Sequence, residues 1–258
     1  MSATTDMGAG AIGRDQAIAV IEAALARGQA ALSEHQAKQV LTAYGIPVTE
    51  ERVVRDSSEL AGALGDLGFP VVLKIDSPDI LHKTEAGLVA LDCRTTGEAE
   101  AALDRILRQA QEHFPAALID GVLVQEMVTG SVAECIVGMK KDPQFGPTIL
   151  FGLGGIFVEV FEDVALRVVP LSETDARDMI RETRGFRLLA GARGRPKADV
   201  AAIEDVLLKM SRLALDLEPY LTEIDVNPLM AGPEQAAGGR PAKAVDALML
   251  LDRSGQEG

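Results

Sequence analysis

Tryptophan is absent from this chain of 258 residues, and aromatic side chains make up only 3% of it. Proteins that bind single-stranded nucleic acid stack bases on aromatic platforms. Basic residues are scarce as well, with 25 Lys and Arg against 39 Asp and Glu and a net charge of −14. Nucleic-acid binding needs a basic surface that releases phosphate counterions, so this composition excludes nucleic acid as a partner. It also excludes peripheral attachment to an anionic membrane. A phosphorylated small molecule stays open, because it needs only a local group of cations, amides and metal. No run approaches the roughly 18 apolar residues of a membrane span. The opening MSATTDMGAGAIGRD lacks the basic start and apolar stretch of a secretory signal. The two cysteines, Cys93 and Cys135, each sit in an apolar alternating run. Buried thiols rather than a disulfide scaffold are expected, in a reducing, cytoplasmic setting.

What is present is core material. Hydrophobic residues are 47% of the chain, enough for one or two domains. Residues 1–14 are small, polar and Gly-containing and predict a flexible tail. Asp15 can then cap a helix to about Gly28. Ser33 with Gln36 has capping-box spacing and opens a second helix, which Gly45 and Pro47 end. A further helix, capped by Ser57 or Ser58, is predicted through Leu60, Ala61, Leu64 and Leu67 and is stopped by Gly68 and Pro70, and others are predicted over 98–114, 173–184 and 199–216. Strands are predicted at 48–54, 71–76, 88–93, 121–128, 132–140, 147–151, 156–169, 221–230 and 242–250. Adjacent strands mixed with interspersed helices predict an α+β (mixed α/β) fold.

Six features could carry chemistry. In TEIDVNP, period-two alternation places Glu223, Asp225 and Asn227 on one strand face. Such a row of hard oxygens suits Mg²⁺, and equally a solvated sheet face. Asp246 could join that side if the last two strands pair. Lys74, inside the apolar VVLKID, must either snorkel at the strand end or meet a fixed anion. His82, in the loop SPDILHKTEAG, can be a nucleophile, a proton carrier or a surface residue. Gly152, Gly154 and Gly155 in FGLGG allow close backbone approach to an anion or simply a tight turn. Glu159 follows them as a carboxylate in an apolar run. The strand VLVQEMV (122–128) can offer backbone groups to a purine edge or be plain core. GARGRPK (191–197) is the one basic cluster, either an anion contact or a solvated loop.

The order of these segments carries a resemblance. VVLKIDSPDILHKTEAG, GVLVQEMV, DPQFGPTILFGLGGIFVEVFEDVALRVVPLSETDARDMI, RGRP, LTEIDVNPL and AVDALMLL together resemble the ATP-grasp β subunit of the NDP-forming acyl-CoA synthetases. The ADP-forming acetate–CoA ligases are the best-known members, and succinyl-CoA synthetase is a more distant one. The similarity runs from about Leu32 to Leu251. It implies an ATP-grasp fold with two α+β subdomains, at 32–125 and 126–252, clasping ATP or ADP, with 1–31 as a tail and helix of no assigned role. It also implies the reaction acid + CoA + ATP ⇌ acyl-CoA + ADP + phosphate.

By motif, Lys74 would contact the nucleotide phosphates, Glu126, Met127 and Val128 would line the adenine side, and Glu134 would lie near the ribose. Gly154 and Gly155 would approach the phosphates, while Asn227 and Asp246 would hold Mg²⁺. His82 would become transiently phosphorylated, relaying phosphate to or from a histidine of a separate CoA-binding α subunit, which would bind most of the CoA, in an αβ or α₂β₂ assembly. Glu159 would orient an imidazole. Two positions depart from the pattern: Leu88 follows Gly87 where a second Gly is common, and SVAE (131–134) lacks the Gly often found before the matching Glu. A non-catalytic nucleotide-sensing module is the alternative. A stand-alone carboxylate–amine ligase fits less well, since an acyl phosphate needs no histidine relay.

Overall fold

The computed structural model describes residues 6–155, 162–194, 196–234 and 242–254, with side chains throughout except those of 6–12 and 193. The chain begins with helix α1 (Asp6–Ala26) and helix α2 (Glu34–Ala43). The smaller unit follows: β1 (Glu51–Val54), α3 (Ser57–Leu67), β2 (Val71–Asp76), β3 (Val89–Cys93), α4 (Thr96–His113) and β4 (Gly121–Glu126). The larger unit contains β5 (Ala133–Asp142), β6 (Gly146–Leu153), β7 (Val164–Val168), α5 (Glu173–Glu182), the short α6 (Phe186–Leu189), α7 (Val200–Asp216), β8 (Leu221–Ala231), β9 (Lys243–Ala244) and β10 (Ala247–Leu251). The mixed helix-and-sheet class expected from the sequence is the one observed. Among the described residues no helix is long and apolar enough to cross a membrane.

Both sheets are antiparallel. The small one runs β1-β4-β2-β3; the large one runs β10-β8-β5-β6-β7, with β9 on β8. Each has its own core. Under the small sheet, α3 and α4 bury Leu60, Leu64, Leu103 and Ile106 against Leu73, Ile75, Val122 and Val124. Asp56 and Thr95 cap these two helices through their side chains. Burying a leucine or isoleucine in this way contributes roughly 1.5–3 kcal/mol. The larger core gathers α7 (Ile203, Leu207, Met210) against Val137, Phe151, Ile224 and Val226.

Two differences from the expected layout have a packing origin. The tail expected over 1–14 is helical from Asp6, so Asp15 lies inside α1 and is not its cap. A Cβ on Gly13 would meet the Ala43 carbonyl oxygen at 2.1 Å. The glycine therefore permits a close crossing with α2, a tertiary contact invisible to periodicity. Secondly, residues 32–50, expected with the first subdomain, pack elsewhere: Leu32, Ala37, Val40, Leu41 and Ile46 belong to the larger core. Of the strand expected over 156–169, β7 supplies 164–168, and 156–161 lie outside the described residues. Both thiols are free and buried, and burial pushes Cys135 up to about 12.

Candidate active site

A layer of buried polar side chains separates the two cores. It begins with an anomaly on α2. The positions 34, 37, 38 and 41 follow helical spacing and all are buried, yet Glu34 and Lys38 are charged. Opposite them, β2 alternates. Leu73 and Ile75 enter the small core, while Lys74 and Asp76 face α2.

Glu34 is 2% exposed. Its Oε1 accepts hydrogen bonds from Lys38 Nζ and Lys74 Nζ, both at 2.8 Å, and its Oε2 accepts from Lys83 Nζ. Lys38 Nζ also meets Thr49 Oγ1 at 3.0 Å and Glu51 Oε2 and Gln125 Oε1 at 2.8 Å each. Lys74 donates to the Val245 carbonyl at 3.1 Å and to Asp246 Oδ2 at 3.3 Å. Lys83 lies 3.6 Å from Asp246 Oδ1. Lys74 thus meets a fixed anion, the second of its two sequence readings. Burial alone would raise the Glu34 carboxyl, but the ammonium groups of Lys74, Lys38 and Lys83 outweigh it and hold its pKa well below the ordinary value.

Next to this layer, His35 Nδ1 is 2.8 Å from Glu51 Oε1. That hydrogen bond is the main cause of a raised His35 pKa. A raised folded-state value means stability that is complete below the unfolded pKa of about 6.5 and is lost as pH rises through the folded one. His35→Gln should therefore lower the melting temperature by about 2 °C at pH 6 and by nothing measurable at pH 9. An equal loss at both values would show that the imidazolium contributes nothing.

The larger sheet has an open face. Glu223, Asp225 and Asn227 of β8 line a cavity of about 580 Å³ with Ile136, Gly138 and Leu150. The shared face read from TEIDVNP is thus present. Asp225 has a raised pKa because burial disfavours its charge and because Glu223 and Asp246 repel it. The last two strands do pair, Ala247 with Val226, and Asn227 N–H reaches the Asp246 carbonyl at 3.3 Å. Among the described residues no group of three or more His, Cys, Asp or Glu is arranged to hold a metal. Asn227 lines this cavity and Asp246 is joined to it through the backbone; an amide oxygen and a carboxylate are the donor types that fit Mg²⁺, which binds through one or two protein ligands plus phosphates and waters.

A second cavity, about 200 Å³, is lined by Glu126, Met127 and Val128 with Met230 and Lys243. Glu126 Oε1 accepts from Lys243 Nζ at 2.6 Å and from the Glu50 N–H at 2.9 Å. Glu134 is exposed on β5, opposite Met230. Gly154 packs on it: its N–H donates to the Glu134 carbonyl at 2.8 Å, and a Cβ there would lie 3.4 Å from Glu134. Gly155 has φ of +63°, a left-handed conformation that favours glycine. In the 77–88 loop His82 is exposed while Lys83 beside it is buried.

A family model described as an ATP-grasp domain matches residues 23–251. The β subunit of the ADP-forming acetate–CoA ligase II of Pyrococcus furiosus is 43% identical over 238 residues, covering 92% of this chain and 99% of that one. The chain belongs to the ATP-grasp β subunits of this ligase family. Another relative, the ADP-forming acetate–CoA ligase I of Archaeoglobus fulgidus, is 43% identical over 216 residues, which are 84% of this chain and 31% of that longer one. The ATP-grasp fold is matched by an acetyl-CoA synthetase of Korarchaeum cryptofilum. That structure contains CoA and Mg-AMPPCP, with its phosphohistidine segment pointing towards the nucleotide site. It has a TM-score of 0.76 and 39% identity, and it covers 93% of this chain and 100% of that one.

The ATP-grasp architecture brings Lys74 and Asp246 into direct contact and Asn227 alongside. It gathers Glu126, Met127 and Val128 around one cavity and sets Glu134 against Gly154. Glu159 lies outside the described residues, as does Arg195 of the basic cluster. The sequence reading missed Glu34, Lys38, Glu51, Asp76 and Gln125. The available signal was a charged pair on the apolar stripe of α2.

Proposed function

We propose that this chain is the nucleotide-handling subunit of an NDP-forming acyl-CoA synthetase, working through a phosphohistidine relay with a CoA-binding α subunit. The observation that carries the reading is the meeting of Lys74, from the small sheet, with Asp246, beside Asn227, from the large one. A polyphosphate chain lying between the sheets would find a cation and a metal-binding carboxylate at one point. Phosphoryl transfer needs in-line placement and charge neutralisation more than covalent machinery.

In this reading Lys74 and the amides of Gly154 and Gly155 face the phosphates. Glu126, Met127 and Val128 flank the adenine, and Glu134 the ribose. Asn227 and Asp246 would hold Mg²⁺, which would supply charge neutralisation. A neutral imidazole of His82 attacks the terminal phosphorus of ATP. The N–P bond forms as the bond to the bridging oxygen breaks, and ADP leaves. The phosphoryl group then passes to a histidine of the partner, where CoA and the acid complete the reaction. Glu159 would accept a hydrogen bond from an imidazole N–H and orient the ring. The length of the Archaeoglobus relative supports a partner supplying the remaining domains. ATP- and CoA-dependent chemistry, with two free buried thiols, suits the cytoplasm.

The test is ADP release from ATP by the purified chain with Mg²⁺, CoA, a carboxylic acid and the α subunit. Release that requires every component is expected. Nucleotide binding without any acid- and CoA-dependent release would instead favour the sensing module.

A further inference from the structure

We propose that Glu34 is a positioning residue for the phosphoryl-transfer site. Its buried carboxylate sets the Lys74 ammonium and, through Lys83, anchors the loop that carries His82. The inference rests on the roles proposed above for Lys74 and His82, and it adds a group that no catalytic motif of the sequence contains.

The two oxygens of Glu34 are divided between tasks. Oε1 takes Lys38 and Lys74, and Oε2 takes Lys83. Lys38 is the partner on the same helix, four residues on. Lys74 and Lys83 come from the smaller unit, whereas α2 is rooted in the larger core through Ala37, Val40 and Leu41. Glu34 therefore fixes two cations of the small unit relative to the sheet that bears Asn227 and Asp246. Asp246 is a weaker counter-ion for both, being 38% exposed on its side chain and 3.3 and 3.6 Å away.

The loop geometry points the same way. Its ends are pinned by Ile80 and Leu88 in the small core. Between them Lys83 is buried while Leu81, His82, Thr84 and Glu85 are exposed. The tether thus acts one residue from the exposed imidazole. Neutralising Glu34 would leave three ammonium groups crowded around a single uncharged amide. Lys74 and Lys83 would then swing towards Asp246 or solvent, and both the phosphate contact and the loop would lose their reference point.

The experiment compares Glu34→Gln and Glu34→Asp with Glu51→Gln in the full-length chain. Glu51 shares Lys38 and His35 but has no bond to Lys74 or Lys83, so it reports the merely structural cost. Thermal melts, ADP affinity by calorimetry and hydrogen exchange of residues 78–88 are measured for each. Glu34→Gln should weaken ADP binding at least about tenfold and speed exchange in the loop. Glu34→Asp should recover part of both, and Glu51→Gln should leave both within about twofold. Unchanged ADP affinity and loop exchange in folded Glu34→Gln would overturn the proposal. So would equal changes in Glu51→Gln at a matched loss of melting temperature. If Glu34→Gln does not fold, Glu34→Asp, one methylene too short to serve both lysines, is compared with Glu51→Gln by the same criteria. Failure of the wild-type chain to bind ADP would refute the nucleotide reading, and loop exchange would still decide the Glu34–Lys83 tether.

Discussion

Replacing His82 with alanine should abolish acid-labile labelling of the chain by ATP radiolabelled on its terminal phosphate. The same change should slow acid- and CoA-dependent ADP release by about 10⁴-fold or more, the usual scale for losing a covalent nucleophile. Folding should be untouched. The side chain is exposed, and surface substitutions of this kind generally stay within about 0.5 kcal/mol. Nucleotide affinity should also hold, since the ring is assigned no contact with resting ATP. Intact fold and binding with absent transfer is a pattern that a structural histidine cannot produce. Wild-type rates in His82→Ala would remove the relay and favour direct acyl-phosphate chemistry.

The second large effect belongs to Lys74. Substitution by methionine keeps the stem of the side chain but deletes the ammonium that joins Glu34 to Asp246. Two losses should appear together. Breaking a buried ion pair by removing one partner typically costs about 3–5 kcal/mol, which a denaturant melt would read. Glu34 keeps Lys38 and Lys83, so the lower end of that range is expected. Nucleotide affinity should fall about 100-fold, as a charge-assisted contact to phosphate disappears. Lys74→Arg should restore little, because a planar fork does not fit a slot shaped for a point charge between a buried carboxylate and a carbonyl. If folded Lys74→Met bound ATP as tightly as wild type, Lys74 would be a purely structural cation and the proposed phosphate position would be wrong.

The same charge layer sets an acid limit on the fold. Glu34 has a depressed folded-state pKa, so its contribution is present above the unfolded value of about 4.3 and is lost as pH falls through the folded one. Protonating Glu34 should loosen this layer, and the exchange of α2 and β2 amides would report it.

Much of this protein is legible in its residues alone. Period-two alternation was enough to put Glu223, Asp225 and Asn227 on one face, because a strand leaves each side chain only two directions. The capping box at Ser33 and the glycine that ends α2, Gly45, follow from local chemistry in the same way. Motif order over nearly the whole chain pointed to the family, since HKTEAG and DPQFGPTILFGLGGIFVE carry information that composition does not. Periodicity could not decide where Lys74 would find its anion. Glu34 is 40 residues away and Asp246 is 172, and only the packing of α2 between two sheets brings all three together. The close crossing of Gly13 with Ala43 is likewise a contact between separate elements. Local structure answers to neighbours along the chain, whereas a buried charge is tolerable only where distant elements supply its partners, and their meeting point is set by how both cores close.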